Sequence, residues 1–157
     1  MGVQTAVNSY PALAVAGDRA SQEKIITLPY NCTAESDVLV GGFVFSGSDE
    51  GLVASAGETV LGFAVRNLDN LIFDLTAGAS QYVPTYHTVT VAVEGDFYAT
   101  TTTDATVGQK VFASTTDGAI STADAGSAVD GAVETNFVVK TAGSADDLIV
   151  IGTWGVR

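Results

Sequence analysis

The sequence predicts an all-β domain, a β-sandwich or jelly-roll-like fold preceded by an extended N-terminal arm. Three observations carry that expectation. The strand formers Val, Thr, Ile, Phe and Tyr are plentiful, while Glu, Lys, Gln, Arg and Met are scarce. Seventeen glycines against three prolines suit a chain that turns often without being a proline-rich linker. Short apolar or alternating runs, about nine of them, recur at roughly ten-residue spacing, the rhythm of a sandwich or barrel. At 157 residues the chain is long enough for one domain with a real core. Residues 1–21 form the expected arm and 22–157 the β domain.

Met1 to Ser21 is irregular, with an extended Tyr10-Pro11 step and a turn at Ala16-Gly17-Asp18. Lys24 to Leu28 is a short strand stopped by Pro29. Val38 to Phe45 is apolar on both faces, and its Gly41-Gly42 pair predicts a bulge or a close backbone approach. Ser46 to Gly51 is a loop, and Thr59 to Val65 and Leu71 to Phe73 are further strands. Leu75 to Val83 is the one helical or irregular piece, ended by Pro84.

Val89, Val91 and Val93 alternate with Thr90 and Ala92, as in a strand with one buried face. Glu94-Gly95-Asp96 punctuates that run as a turn would, and Phe97 to Thr100 resumes extended residues. Lys110 to Ala113 is the next strand, closed by the tight-turn dipeptide Asp117-Gly118. Ser121 to Ser127 is a loop of small residues. Val133, Thr135, Phe137 and Val139 share one face of a later strand. Leu148 to Ile151 is continuously apolar and belongs in a sheet interior.

Eighteen acidic against six basic residues give a formal charge of −12. That balance repels phosphate backbones and anionic lipid, so neither nucleic acid nor a membrane surface is an expected partner. No run of about 18 apolar residues is present to span a bilayer. The charge is uneven. Residues 1–28 sum to zero, because Asp18 and Glu23 offset Arg19 and Lys24. The remaining sixteen acids face only Arg66, Lys110, Lys140 and Arg157. A neutral N-terminal segment can lie on an acidic surface that repels the body.

Candidate chemistry is sparse. His87 is the only histidine and has no sequence neighbour that would complete a catalytic dyad. Cys32 is the only cysteine, which excludes an internal disulfide and leaves nothing local to activate the thiol. Asp117, Asp124 and Asp130 lie near glycines, but not at the alternating spacing of a calcium loop. No GxGxxG follows a strand and opens a helix. The expectation is therefore a protein that is not an enzyme, with no metal and no cofactor. Tyr10, Tyr30, Tyr82, Tyr86, Tyr98 and Trp154 offer a sugar-binding stack or an interface. Core filling is expected for most of them, with Tyr10 the exception because it sits in the arm beside Pro11. Tyr10, Pro11, Arg19 and Lys24 are accordingly the candidate contact residues.

Several motifs together resemble one family. PALAVAGDRAS (Pro11 to Ser21) is similar to the opening of tailed-phage capsid decoration, or structural cement, proteins, and Gly62-Phe63-Ala64-Val65-Arg66 to their central Gly-Phe strand. Leu75 to Pro84 looks like the segment before the family's Gly-Asp-Phe hairpin. Glu94-Gly95-Asp96-Phe97 and Ala105 to Ala113 are the most specific matches. Val133-Glu134-Thr135 and Leu148 to Trp154 resemble the last two strands, whereas the VLVGGFVFSGSDEGLVASAG region departs from the family's pattern. The resemblance implies a structural virion protein that binds the outer surface of a phage head. Its expected partners are the major capsid protein and itself, as a homodimer or homotrimer, after synthesis in the host cytoplasm. A carbohydrate-binding or adhesive β-sandwich is the alternative, and it would require an exposed aromatic pair beside polar side chains.

Overall fold

The computed structural model describes residues 13–67 and 81–155. Among these residues there is no helix, and the chain is all β. Thirteen strands follow in order. They are β1 (Ile26–Thr27), β2 (Cys32–Ala34), β3 (Val38–Leu39), β4 (Phe43–Ser46), β5 (Leu52–Ala54), β6 (Val60–Val65) and β7 (Tyr82–Val83), then β8 (Thr88–Glu94), β9 (Asp96–Thr100), β10 (Lys110–Ser114), β11 (Ile120–Ala123), β12 (Ala132–Val139) and β13 (Leu148–Gly152).

Two layers make the body. One is an antiparallel sheet in the order β11-β10-β12-β13-β9, with the apolar strand β13 inside it as its composition requires. The other runs β1-β8-β2-β5-β4-β6, and β6 also pairs with β8. That extra pairing closes β8, β2, β5, β4 and β6 into a small barrel, with β1 continuing along β8 outside the ring. Five strands enclose little space, so the interior has to be filled by small side chains. Cys32, Ala34, Val44, Val53, Ala64, Val89 and Val91 supply them. The β3–β7 ribbon adds Val38 and Val83 to this cluster.

The second core lies between barrel and sheet. Phe43, Phe45, Phe63 and Ala92 on the barrel pack with Phe97, Phe137, Ile149 and Ile151 from the sheet. Phe63 stacks on Phe97 with centroids 4.9 Å apart, and Phe43 meets Phe137 edge-on at 5.3 Å. Such pairings contribute about 0.5–1.5 kcal/mol each beyond their buried area. In β6, Val44 pairs with Gly62 but Phe45 with Val60, so Leu61 is bulged. The bulge lets Leu61 and Ala64 serve one core while Val60 and Phe63 serve the other.

The face expected for β12 is the one observed: Thr135, Phe137 and Val139 are buried, and Glu134 and Asn136 are exposed. Asp117-Gly118 makes the β10–β11 turn, with Gly118 at φ 71°. Gly41-Gly42 is a close approach, since a Cβ on Gly42 would stand 2.8 Å from the Gly118 carbonyl oxygen. It also divides VLVGGFVF into two strands of different sheets rather than one.

Other expectations are corrected. Glu94-Gly95-Asp96 is not a hairpin: β8 belongs to the barrel and β9 to the sheet, and Gly95 at φ 142° turns the corner between them. Both faces of β8 are buried, because Ala92 faces the inter-layer core while Val89 and Val91 fill the barrel. Ser121 to Ala123, expected in a loop, extends β11, because Thr122 binds back through Thr103 and Asp104. Tyr82–Val83 is strand, not helical or irregular, and the remainder of that segment, like Leu71 to Phe73, lies outside the described residues. Cys32–Ala34 and Leu52–Ala54, too short and mixed to announce themselves, pair in parallel.

Of the expected arm, residues 13–21 are described, and part of that stretch is fastened to the body. Gly17 N donates to Tyr98 O, Tyr98 N to Asp18 O and Ala20 N to Asp96 O, at 2.8–2.9 Å. These bonds lengthen the sheet beyond β9. Gly17 is at φ 92°, and a Cβ there would lie 2.8 Å from Val40 Cγ1 and 3.0 Å from Arg66 Cβ. Asp18 Oδ1 pairs with Arg66 at 3.0 Å while Oδ2 accepts from Val15 N. The Ala16-Gly17-Asp18 turn is therefore a clasp joining the N-terminal segment to β6.

Candidate interaction surface

Strand β8 runs between two chemically different ends of the barrel, about 20 Å apart for seven residues at strand rise. At its C-terminal end stand two of the four candidate residues, Arg19 and Lys24, both exposed. Arg19 Nε donates to Ser21 O at 2.7 Å, and its Nη2 donates to Glu23 O. The guanidinium is thus oriented by backbone carbonyls rather than by a carboxylate. Trp154 Nε1 donates to Lys24 O at 3.1 Å, tying the end of the described chain to this corner. Thr153 holds Gly95 from the other side through Oγ1 and N–H. Arg66 and Lys140, by contrast, are matched with Asp18 and Asp96. Tyr10 and Pro11 lie outside the described residues.

At the N-terminal end of β8 is the turn Pro84-Thr85-Tyr86-His87. His87 N donates to Pro84 O at 3.2 Å, so Tyr86 occupies the third turn position, at φ 68°. Gly or Asn normally fills that position, and a bulky residue there carries strain of about 1–3 kcal/mol. The turn is held from several sides. Tyr86 N donates to Ala34 O at 2.7 Å, and Thr85 donates through N and Oγ1 to Asp37 Oδ1 at 3.0 and 3.1 Å. Tyr86 is 86% exposed, and Tyr82, four residues earlier, is 50% exposed. Tyr30 is also exposed. The tyrosines expected to fill the core do not, because phenylalanines fill it instead. The signal available in the sequence was an aromatic inside a proline-led turn rather than inside a strand run.

Beside this turn, exposed Glu35 accepts from Ser48 Oγ at 2.6 Å and from Ser48 N at 2.8 Å. These two bonds, the hydroxyl's first, hold its carboxyl below the usual carboxylate range. Because the folded value is the lower one, the stabilisation is present above the ordinary carboxylate range and is lost as pH falls through the folded value. Glu35→Gln should therefore speed hydrogen exchange at the Ser48 amide several-fold at pH 7. The difference from the unsubstituted protein should shrink as the solution is acidified. An equal exchange rate at pH 7 would show that the clasp does not order the loop.

The remaining candidates hold structural positions. Cys32 is buried in the barrel, and burial pushes its thiol up, the reverse of an activated nucleophile. His87 is exposed, with Nδ1 3.2 Å from Thr85 O. Asp117 Oδ1 accepts from Ala119 N, as a turn former does. Among the described residues no three His, Cys, Asp or Glu side chains are grouped to hold an ion.

Comparison with known proteins places this architecture. Among solved structures, the chain is similar to one in the capsid of Myoviridae phage XM1, at 18% identity and a TM-score of 0.64, with both chains covered in full. That likeness concerns the fold. A second similarity, to the head fiber gp8.5 N base in bacteriophage phi29, has 11% identity and a TM-score of 0.46. It covers 82% of this chain and 93% of that one. No curated protein matches the sequence. The family described as structural cement protein (E217 gp24/Pam3 gp6) matches residues 3–153. The chain belongs to this phage structural cement protein family.

Proposed function

We propose that this protein fastens to the outer surface of a phage head across neighbouring major capsid subunits, as a homo-oligomer, and resists the shell's separation under internal pressure. The observation that carries the reading is a cement-family match over almost the whole chain. Two rigidly connected, chemically opposite ends support it, since a bridge between subunits needs two contact surfaces. The acidic body keeps the protein off packaged DNA and keeps decorated particles apart. Modest contacts suffice because many copies act in parallel. The role needs no catalytic group, and the single thiol, Cys32, is buried in the barrel.

At one end, Arg19 and Lys24, with Tyr10 and Pro11 of the preceding segment, are the proposed contacts to an acidic shell surface. Exposed Leu13 would become buried only on assembly. The test is binding to heads stripped of the protein. Arg19→Glu with Lys24→Glu should weaken attachment roughly five- to tenfold at low salt, and the gap should narrow as salt is raised. Unchanged attachment at low salt would remove this end from the interface.

A further inference from the structure

We infer that the Pro84–His87 turn is a second contact point, at which Tyr86 receives a lysine- or arginine-bearing segment of a shell subunit. The inference rests on the cement reading and deepens it. Three observations carry it. First, Tyr86 adopts a left-handed backbone conformation that glycine would take without strain, yet the residue is 86% exposed. Among the described residues, no ring contact or hydrogen bond of the Tyr86 side chain calls for an aromatic there. Second, the turn is rigid before any partner arrives. It is fixed by Ala34 O, by Asp37 Oδ1 and by the Pro84 carbonyl, and it follows directly on Val83, which is buried. A preorganised tyrosine loses little freedom on docking, which is why such residues dominate binding energy.

Third, the surroundings select the partner's charge. Asp37 and Glu35 stand at the turn, and Glu35 grips the loop that carries Asp49 and Glu50. Residues 25–65 and 67–109 contain no Lys or Arg. A cation entering this end meets carboxylates and the face of a tyrosine, an arrangement that favours Arg or Lys. An acidic partner would be repelled, and so would the same end of a second copy.

The experiment measures binding of purified protein to stripped heads for the unsubstituted chain, Tyr86→Gly and Tyr86→Phe. Tyr86→Gly relieves the backbone, so its melting temperature should stay the same or rise by about 2 °C. Its affinity for heads should fall at least tenfold, while Tyr86→Phe should stay within about threefold. Equal affinity of Tyr86→Gly and the unsubstituted protein would overturn the inference and leave the cement reading standing. Failure of the unsubstituted protein to bind heads would overturn both. Two other outcomes would also overturn it by naming a different partner. One is a Tyr86→Gly protein that loses self-association but keeps head binding per oligomer. The other is glycan binding by the unsubstituted protein that Tyr86→Gly abolishes.

Discussion

Lys140→Met should lower the stability of the free protein by about 3–5 kcal/mol, the usual cost of stripping one partner from a buried ion pair. For a domain of this length that corresponds to a fall of roughly 10 °C in melting temperature. Lys140 Nζ lies 2.8 Å from Asp96 Oδ1, with the two side chains 16% and 7% exposed. The approach is a charge contact without hydrogen-bond geometry, and Oδ1 has no other polar partner. The pair crosses β13 at Gly152, where a Cβ would stand 1.9 Å from Oδ1. Removing the ammonium leaves the buried Oδ1 without its counter-charge. Changing both partners, Asp96→Asn with Lys140→Met, should recover more than half of the loss, because it removes the uncompensated charge. Thermal melts at fixed pH and salt decide it. A Lys140→Met cost below about 1 kcal/mol would mean that the pair behaves as a solvated surface contact.

The pair also explains why a short, glycine-driven motif can specify so much. In Glu94-Gly95-Asp96-Phe97, Gly95 turns the chain from barrel to sheet, Asp96 ties β9 to the end of β12, and Phe97 stacks on Phe63. Phe63 belongs to Gly62-Phe63-Ala64-Val65-Arg66, whose Arg66 is gripped by Asp18 of the Ala16-Gly17-Asp18 clasp. Motifs far apart in sequence therefore meet at the seam between the layers. Sequence reading finds each one but not their meeting.

What was legible follows from local chemistry. Alternation in β12, the apolar run of β13 and the Asp117-Gly118 turn report on a strand's own faces and its own hairpin, and all three stand in the structure. Barrel closure was not legible, because it depends on β6 meeting β8 over a long separation. Its trace was only the small size of the inward-facing residues Cys32, Ala34, Val44, Val53 and Ala64. Strands of two or three residues such as β2, β5 and β7 are too brief for periodicity to mark. The exposure of Arg19 and Lys24 was legible from charge alone. Tyr86 was not, because its exposure is set by a left-handed backbone angle that residue type argues against.

The cement role rests on linkage. A protein bound to the intact shell and not to separated subunits stabilises the shell by mass action, and contacts repeated over a lattice add up. The stabilisation should therefore be large for the particle although each copy contributes little. It should survive loss of any one polar contact and weaken when both ends of β8 are altered together. The most direct measurement is the temperature at which filled heads release their genome, compared with and without bound protein in the same buffer. The account predicts a clearly lower release temperature for heads lacking the protein, restored when purified protein is added back. Equal release temperatures for bare and saturated heads would contradict it.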